Sequence, residues 1–479
     1  MKENVYRMGP AFNEREEEET DYGRLYYATP SRVYEPTSIE ELASTLQQLN
    51  NEGTPVTIRN TGHSMNGQTL TTGVQVRVGK IKGIRFLEDI QEVEAHSGDS
   101  WDEILKAVRF PEWCPPVFPN NPGQTIHMSG TMSVGGMGFY SSSRGGLWNH
   151  VTHISLVTME GRVFECSRSE NSDLFRYALA GSGRIGVIAK FRVRVERSKK
   201  YVVDGAMVFH SADAFMSSLT RMRDCDELYH LCYQFQLSHQ SILDLPGAFP
   251  YRIGFGYEAE NQEEAHEIAD RIRPLLGHTL HFYGSVVSEK PLMVTPSLSP
   301  VLSEKHSAVY VYPEEEPEKG ELSHLWHDYI LPESKFLEFL ERARYEIIKR
   351  DLARTFLKQP FFGKRMHTDM CGGFLIRKMS NFSFPLTSDL SSGATGYHLS
   401  IDHEATRDDI PSILEVIENL GDACYQMGGK KYLYGTHSLT REQVEKQYGR
   451  ETLDTWKRIK SQTDPKGLMN RGVIPHLDD

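Results

Sequence analysis

Cysteine is scarce and scattered. The six cysteines (Cys114, Cys166, Cys225, Cys232, Cys371 and Cys424) include no pair at Cys-x-x-Cys spacing. That argues against a zinc cluster or a disulfide framework and suits a reducing compartment. Nineteen histidines are present, yet none falls in a His-Glu-x-x-His pattern, so no metal site is expected. No run of about 18 apolar residues occurs, so no membrane-spanning helix is expected. Residues Met1–Tyr6 lack an apolar leader core, which makes the cytoplasm the expected compartment. Positive charge is also in deficit: 53 Lys and Arg against 65 Asp and Glu leave a net charge of −12. Such a balance gives a nucleic-acid partner no electrostatic footprint. The acidic runs Glu16–Glu19 and Glu314–Glu316 read as solvated surface.

What is present points to an enzyme with a nucleotide cofactor. At 479 residues, 39% hydrophobic and 25% charged, the chain is long enough for two or three globular domains. The most informative stretch is Arg59-Asn60-Thr61-Gly62-His63-Ser64-Met65-Asn66-Gly67-Gln68, directly after the short apolar strand around Val56 and Ile58. Gly62 and Asn60 adopt positive φ at low cost, so successive backbone amides there can converge on one anion. His63 at the edge of that nest would face whatever a bound phosphate carries.

Ser38 and Glu41 form a capping-box pattern ahead of Ile39, Leu42, Ala43, Leu46 and Leu49 at helical spacing. Val74–Val78 alternates as a strand, and Ser97–Glu103 opens a second helix. The stretch 119–146 is rich in Gly, Ser and Thr and reads as a loop with a short helix packed against a flat ring. From about residue 197 strand-like runs (Tyr233–Leu237, Tyr251–Tyr257, Ala308–Tyr312, Gly373–Ile376, Tyr397–Ile401) alternate with amphipathic helices at Ala265–Leu276, Phe336–Ile348 and Ile413–Cys424. This pattern predicts an α+β layer, with helices covering one face of a sheet. On the Tyr397–His403 strand, His398, Ser400 and Asp402 share one face, which alternation alone assigns to solvent.

Four blocks in this order resemble the FAD-linked oxidases of the vanillyl-alcohol-oxidase type. They are Arg59–Gln68; Pro119-Asn120 with Gln124-Thr125-Ile126, Ser129–Ser133 and Gly135-Gly136; Gly181–Ile188; and Asp464–Asn470. Within that family the segments Leu325–Ser334 and Tyr432–Tyr434, followed by Gln447-Tyr448-Gly449, Trp456 and Asp464-Pro465, resemble cytokinin dehydrogenases. The resemblance spans nearly the whole chain. It implies an α+β protein with a two-part FAD-binding (PCMH-type) domain, residues 1–196 and 435–479. An α+β substrate domain, residues 197–434, would be inserted between the parts as an antiparallel sheet covered by helices.

Carried onto this sequence, the resemblance implies FAD attached covalently through His63. Arg59, Asn60, Thr61, Gly62, Ser64 and Gln68 would line the pyrophosphate side, with Gly130, Thr131, Ser133, Gly135 and Gly136 close to the pyrophosphate and flavin edge. Gly183, Gly186, Val187 and Ile188 would lie beside the flavin or its adenosine arm, with Asn470 in the closing block. Cys114 is the one candidate for a second flavin bond, but it lies too far before the Gly-rich block and reads as a free buried thiol.

The implied reaction is hydride transfer from a small substrate to flavin N5, with dioxygen or another acceptor reoxidising the flavin. Cytokinin dehydrogenases take their base from an aspartate before the Gly-rich block. The matching stretch here, Asn120-Asn121-Pro122-Gly123, has no carboxylate, and neutral amides are not bases. A replacement is expected from the substrate domain or tail. Tyr434 and His437 are the leading candidates, with His367, Asp369, His398, Asp402 and His403 behind them. A small amine or alcohol is the expected substrate. A sugar or aldonolactone oxidase and a flavin-binding protein without turnover are the alternatives.

Overall fold

The computed structural model describes residues 7–8, 19–117, 126–199, 201–236, 251–276, 282–288, 322–356, 358–361, 364–367, 370–379, 382–472, 474, 476 and 477. The fold is α+β and is built around three sheets.

The first is a three-stranded parallel sheet in the order Arg32–Tyr34, Val74–Arg77, Val56–Arg59. Helix Ile39–Glu52 follows the Arg32–Tyr34 strand and precedes Val56–Arg59 in sequence. Ser38 Oγ accepts the Glu41 N–H at 3.1 Å, and Gly53 closes the helix at φ 68°. Only half of the expected capping box forms, because the Glu41 carboxylate accepts from Thr37 N–H and hydroxyl instead. Leu42, Leu46 and Leu49 are fully buried against Val56, Val74 and Val76. Each such side chain contributes about 1.5–3 kcal/mol of burial, so Leu46→Ala is a single change that would loosen this layer.

The second sheet is five-stranded and antiparallel, ordered Val163–Ser167, Val151–Val157, Val187–Arg194, Glu92–His96, Arg85–Leu87. The second predicted helix forms at Trp101–Ala107 and has a complete capping box between Ser100 and Glu103.

The third sheet has eight antiparallel strands in the order Phe282–Ser288, Tyr201–Phe209, Tyr251–Ala259, His230–Gln236, Met370–Ile376, Gly396–Ala405, Ser323–Pro332, Lys430–Tyr432. Helices Ala212–Arg223, Gln262–Leu276, Glu333–Lys349 and Ile410–Gln426 contribute Phe215, Ile268, Phe336 and Ile413 to the core on one face. From the other face, Cys232, Ile330, Phe374 and Ile376 join Met128, Met132, Leu147 and Trp148 of the Gly-rich block in a separate core. The sheet is therefore covered on both faces. The predicted strand Ala308–Tyr312 lies outside the described residues.

Helices Arg441–Tyr448 and Arg450–Thr463 lead the chain back to the first sheet. There Val56 N–H donates to Leu468 O and Asn470 N–H donates to Val56 O, both at 2.9 Å. Among the described residues no helix is long and apolar enough to cross a membrane, and no cluster of three metal-ligating side chains occurs.

Candidate active site

A short segment at residues 19–24 clasps the His63 loop. Tyr22 N–H donates to Gly62 O and Gly23 N–H to Ser64 O, both at 3.0 Å. In a trans peptide the amide points opposite to the carbonyl, so the His63 and Met65 N–H groups turn away from the clasp. Gly62 sits at φ 80°, and a side chain there would strike the Arg59 guanidinium. Asn60 departs from expectation: it keeps negative φ, and Gly62 and Gly67 supply the left-handed turns. Its side chain instead donates to Ser97 O at 2.6 Å and Ser129 Oγ at 3.3 Å. Arg59 is likewise occupied within the protein, donating to Thr20 O at 3.0 Å and Thr69 Oγ1 at 3.3 Å.

Asp21 locks the clasp. Its Oδ2 accepts from Ser64 Oγ and Gly67 N–H, each at 2.7 Å. Burial pushes its carboxyl up to about 6, against the lowering by Ser64, Gly67 and Arg59. Tyr22 stacks on the His63 imidazole at 4.2 Å between centroids and 18° between planes.

The Tyr434 hydroxyl lies 2.8 Å from His63 Nδ1. Burial lowers His63 to about 4 and holds Tyr434 well above the ordinary phenol range. At neutral pH both groups are therefore uncharged, and the imidazole tautomer sets which of the two donates. Gln68 Nε2 donates to Tyr434 O at 3.1 Å and Asn66 Nδ2 to His437 O at 2.9 Å, wiring the tail into the loop. The His437 ring is buried, lowered to about 3 by that burial, and bonded to neither His63 nor Tyr434.

The Gly-rich block forms helix Met128–Val134. Thr131 Oγ1 accepts from Trp101 Nε1 at 3.0 Å and donates to His127 O, while Ser133 Oγ donates to Ser129 O. Gly130 is exposed, and a side chain added there would meet nothing within 4 Å. Gly135 and Gly136 turn the chain after the helix, and the Tyr432 side chain bonds to the Gly136 backbone. Pro119–Thr125, which includes the segment without a carboxylate, lies outside the described residues.

Gly183, at φ 66°, packs under Asn470. Asn470 staples three blocks together: its Oδ1 accepts Ile58 N–H at 2.8 Å, and its Nδ2 donates to Ser182 O at 3.3 Å and Gly183 O at 2.9 Å. Gly186 leads into the Val187–Arg194 strand, which holds Val187 and Ile188, and a side chain at Gly186 would hit Leu156. The donor set fits FAD. Amides turned outward from the His63 loop suit a pyrophosphate, and the buried, unpartnered Asn60 Oδ1 suits a hydroxyl or N–H of the cofactor.

The eight-stranded sheet faces this block. In strand Ser323–Pro332, Asp328 lies opposite Ser400 on one side and Tyr432 on the other, and Ile330 lies opposite His398. Cross-strand partners share a face, so Trp326, Asp328, His398, Ser400, Asp402 and Tyr432 form one surface. Trp326 meets Tyr434 edge-on at 5.9 Å, and Phe374 meets Phe139 of the Gly-rich block likewise.

This overturns the solvent assignment for the polar face of the Tyr397–His403 strand. His398 is 3% exposed and its Nε2 lies 3.0 Å from Asp328 Oδ1. Alternation distinguishes two faces but does not say which meets water, and here both are covered. Asp402 pairs with His324; burial opposes the charge on that imidazole, but the carboxylate prevails and raises it. His403 points the other way, bonded to Thr355 at 2.7 Å and stacked on His327. The His367 side chain and Asp369 lie outside the described residues. Sequence reasoning missed Asp21, Tyr22, Trp326 and Asp328. The last two stand inside the Leu325–Ser334 motif, whereas the clasp carries no local signal.

Residues 30–167 match the FAD binding domain family. The chain is 24% identical to cytokinin dehydrogenase 2 of Arabidopsis thaliana over 470 residues, covering 94% of this chain and 90% of that one. It is 27% identical over 203 residues to an uncharacterized oxidoreductase, ORF5 in the fasciation locus of Rhodococcoides fascians, covering 42% and 45%. Cytokinin dehydrogenase 10 of Oryza sativa subsp. japonica is 29% identical over 194 residues, covering 38% and 35%.

Proposed function

Starting from a chain that carries an FAD binding domain and is similar to cytokinin dehydrogenases, we propose that it oxidises a small organic amine or alcohol, with FAD bound covalently through His63. When bound, the flavin accepts a hydride from the substrate carbon and is returned by dioxygen or another acceptor. Residues 1–196 and 435–479 hold the cofactor in this reading, and residues 197–434 cap it and shape the substrate space.

The observation that carries the reading is the His63 imidazole stacked on Tyr22 and bonded by Tyr434, on the loop whose amides turn away from the clasp. Burial keeps this imidazole neutral, so one of its two ring nitrogens carries a lone pair, as attachment to the flavin would require. Tyr434 orients the ring through its hydroxyl's hydrogen bond with Nδ1. His437 braces the loop through its carbonyl rather than its ring. Trp326, Tyr432 and Phe374 give the facing sheet an aromatic character, which favours an unsaturated or aromatic substrate over a polyhydroxy sugar.

The test is a visible spectrum before and after acid precipitation. The wild-type pellet is expected to stay yellow, and His63→Ala should release its flavin to the supernatant. A wild-type protein that is colourless and takes up no added FAD would overturn the reading.

A further inference from the structure

Resting on the reading above as an FAD-dependent oxidoreductase, we propose that Asp328, held by His398, takes the proton from the substrate N–H or O–H.

The Asp328 carboxylate is 2% exposed. Its Oδ1 is engaged twice, by His398 Nε2 and by Trp326 Nε1, each at 3.0 Å. Its Oδ2 is buried and has no hydrogen-bond partner, and neither has His398 Nδ1. A buried anionic oxygen without a donor is costly; Asp21 Oδ1 and Glu19 Oε2 share that condition, but Asp328 differs from them in lying on the sheet face that meets the Gly-rich block. No Lys or Arg forms an ion pair with it among the described residues. One acceptor atom is thus left for a donor that the protein does not supply.

The position of that atom in the fold identifies the donor. Asp328 shares its sheet face with Trp326 and Tyr432, and Trp326 abuts Tyr434, which bonds His63. Tyr432 in turn reaches the Gly136 backbone of the Gly-rich block. The carboxylate therefore belongs to the surface turned toward the cofactor cradle. The other candidates fit the role less well. Tyr434 is kept protonated by burial, and the His437 ring bonds neither His63 nor Tyr434. His398 fixes the carboxylate, and its ring is backed by Phe374 at 4.3 Å.

The step balances. The substrate carbon gives a hydride to flavin, the adjoining N–H or O–H gives its proton to Asp328 Oδ2, and a C=N or C=O bond forms. Asp328 is then a neutral acid. It returns to carboxylate when the flavin passes its two electrons, with that proton, to dioxygen or another acceptor. Asp328 is the catalytic residue in this scheme, and His398 is a positioning residue.

The experiment compares flavin-loaded wild type, Asp328→Asn and His398→Asn. Asparagine keeps the shape of Asp328 without its charge, and at His398 it removes the Nε2 that meets the carboxylate; flavin content and Tm serve as controls for folding. Anaerobic flavin bleaching is followed by stopped flow with benzylic and allylic amines and alcohols and with isopentenyladenine. The flavin midpoint potential is measured by photoreduction, without any substrate. Asp328→Asn is expected to slow bleaching at least ~100-fold and to shift the potential to a more positive value, because a buried negative charge beside the flavin is gone. His398→Asn should lower kcat while leaving KM near wild type. A potential and a bleaching rate both unchanged in Asp328→Asn would overturn the assignment while leaving the oxidoreductase reading intact. If no compound bleaches the wild type, an unchanged potential alone overturns it. A wild type without flavin would instead remove the oxidoreductase reading itself.

Discussion

Replacing Asp21 by Asn tests how the clasp holds the His63 loop. The buried carboxyl has its folded value raised from 3.8 to about 6, chiefly by burial. A raised folded value means that the native state binds the proton more tightly than the unfolded chain. The contribution to stability is thus fully present below 3.8 and is lost as pH rises through about 6. That rise, at about 1.36 kcal/mol for each pH unit, corresponds to roughly 3 kcal/mol. At an unfolding entropy of about 2.1 cal/mol/K per residue, it amounts to a change in Tm of roughly 3 °C for a chain of this length.

The Asp21→Asn side chain would keep one oxygen to accept from Ser64 and Gly67 and would carry no charge to bury. The variant's profile between about pH 4 and 7 should therefore be flatter than that of wild type, and its stability at the upper end should match or exceed wild type. The assay is Tm by differential scanning fluorimetry across that range. Parallel profiles for the two proteins would exclude Asp21 as the titrating group. A variant several degrees less stable at neutral pH would mean that attraction to Arg59 outweighs burial.

Tyr434→Phe should leave the His63 Nδ1 without its hydrogen-bond partner at about 1–3 kcal/mol, and so slow covalent flavin incorporation roughly tenfold; in-gel flavin fluorescence over time would measure it, and an unchanged rate would exclude a role in orienting His63. Asn470→Ala removes one acceptor and two donated bonds joining Ile58, Ser182 and Gly183, which should destabilise by about 2–4 kcal/mol and expose the tail to limited proteolysis. Lys460→Met strands the buried Asp464 beside it, a loss of about 3–5 kcal/mol readable by urea denaturation.

Local chemistry made some elements legible and non-local chemistry concealed others. The Ser38 and Ser100 caps are readable because a cap and its partner lie three residues apart. The helices Gln262–Leu276, Glu333–Lys349 and Ile410–Gln426 stand out through their apolar spacing. By contrast, Asp21 meets Ser64 and Gly67 across more than forty positions, next to an acidic run that reads as surface. Glu19 of that run instead pairs with Arg77. Asp328 resembles any polar residue on an alternating strand until the Gly396–Ala405 strand brings His398 against it. Sequence gives Asn60 a role through its backbone, but it serves through its amide, a choice that depends on Ser97 and Ser129 arriving nearby.

The Asn470 staple sets an order of events during synthesis. Ile58 waits for a side chain made 412 positions later. At about 5–20 residues per second, that is roughly 20–80 s of translation. The first parallel sheet and the His63 loop emerge long before the residue that ties them to Gly183. On the proposed reading of this loop as the cofactor cradle, a ribosome stalled short of residue 470 would display that cradle without the side chain that ties Ile58 to Ser182 and Gly183.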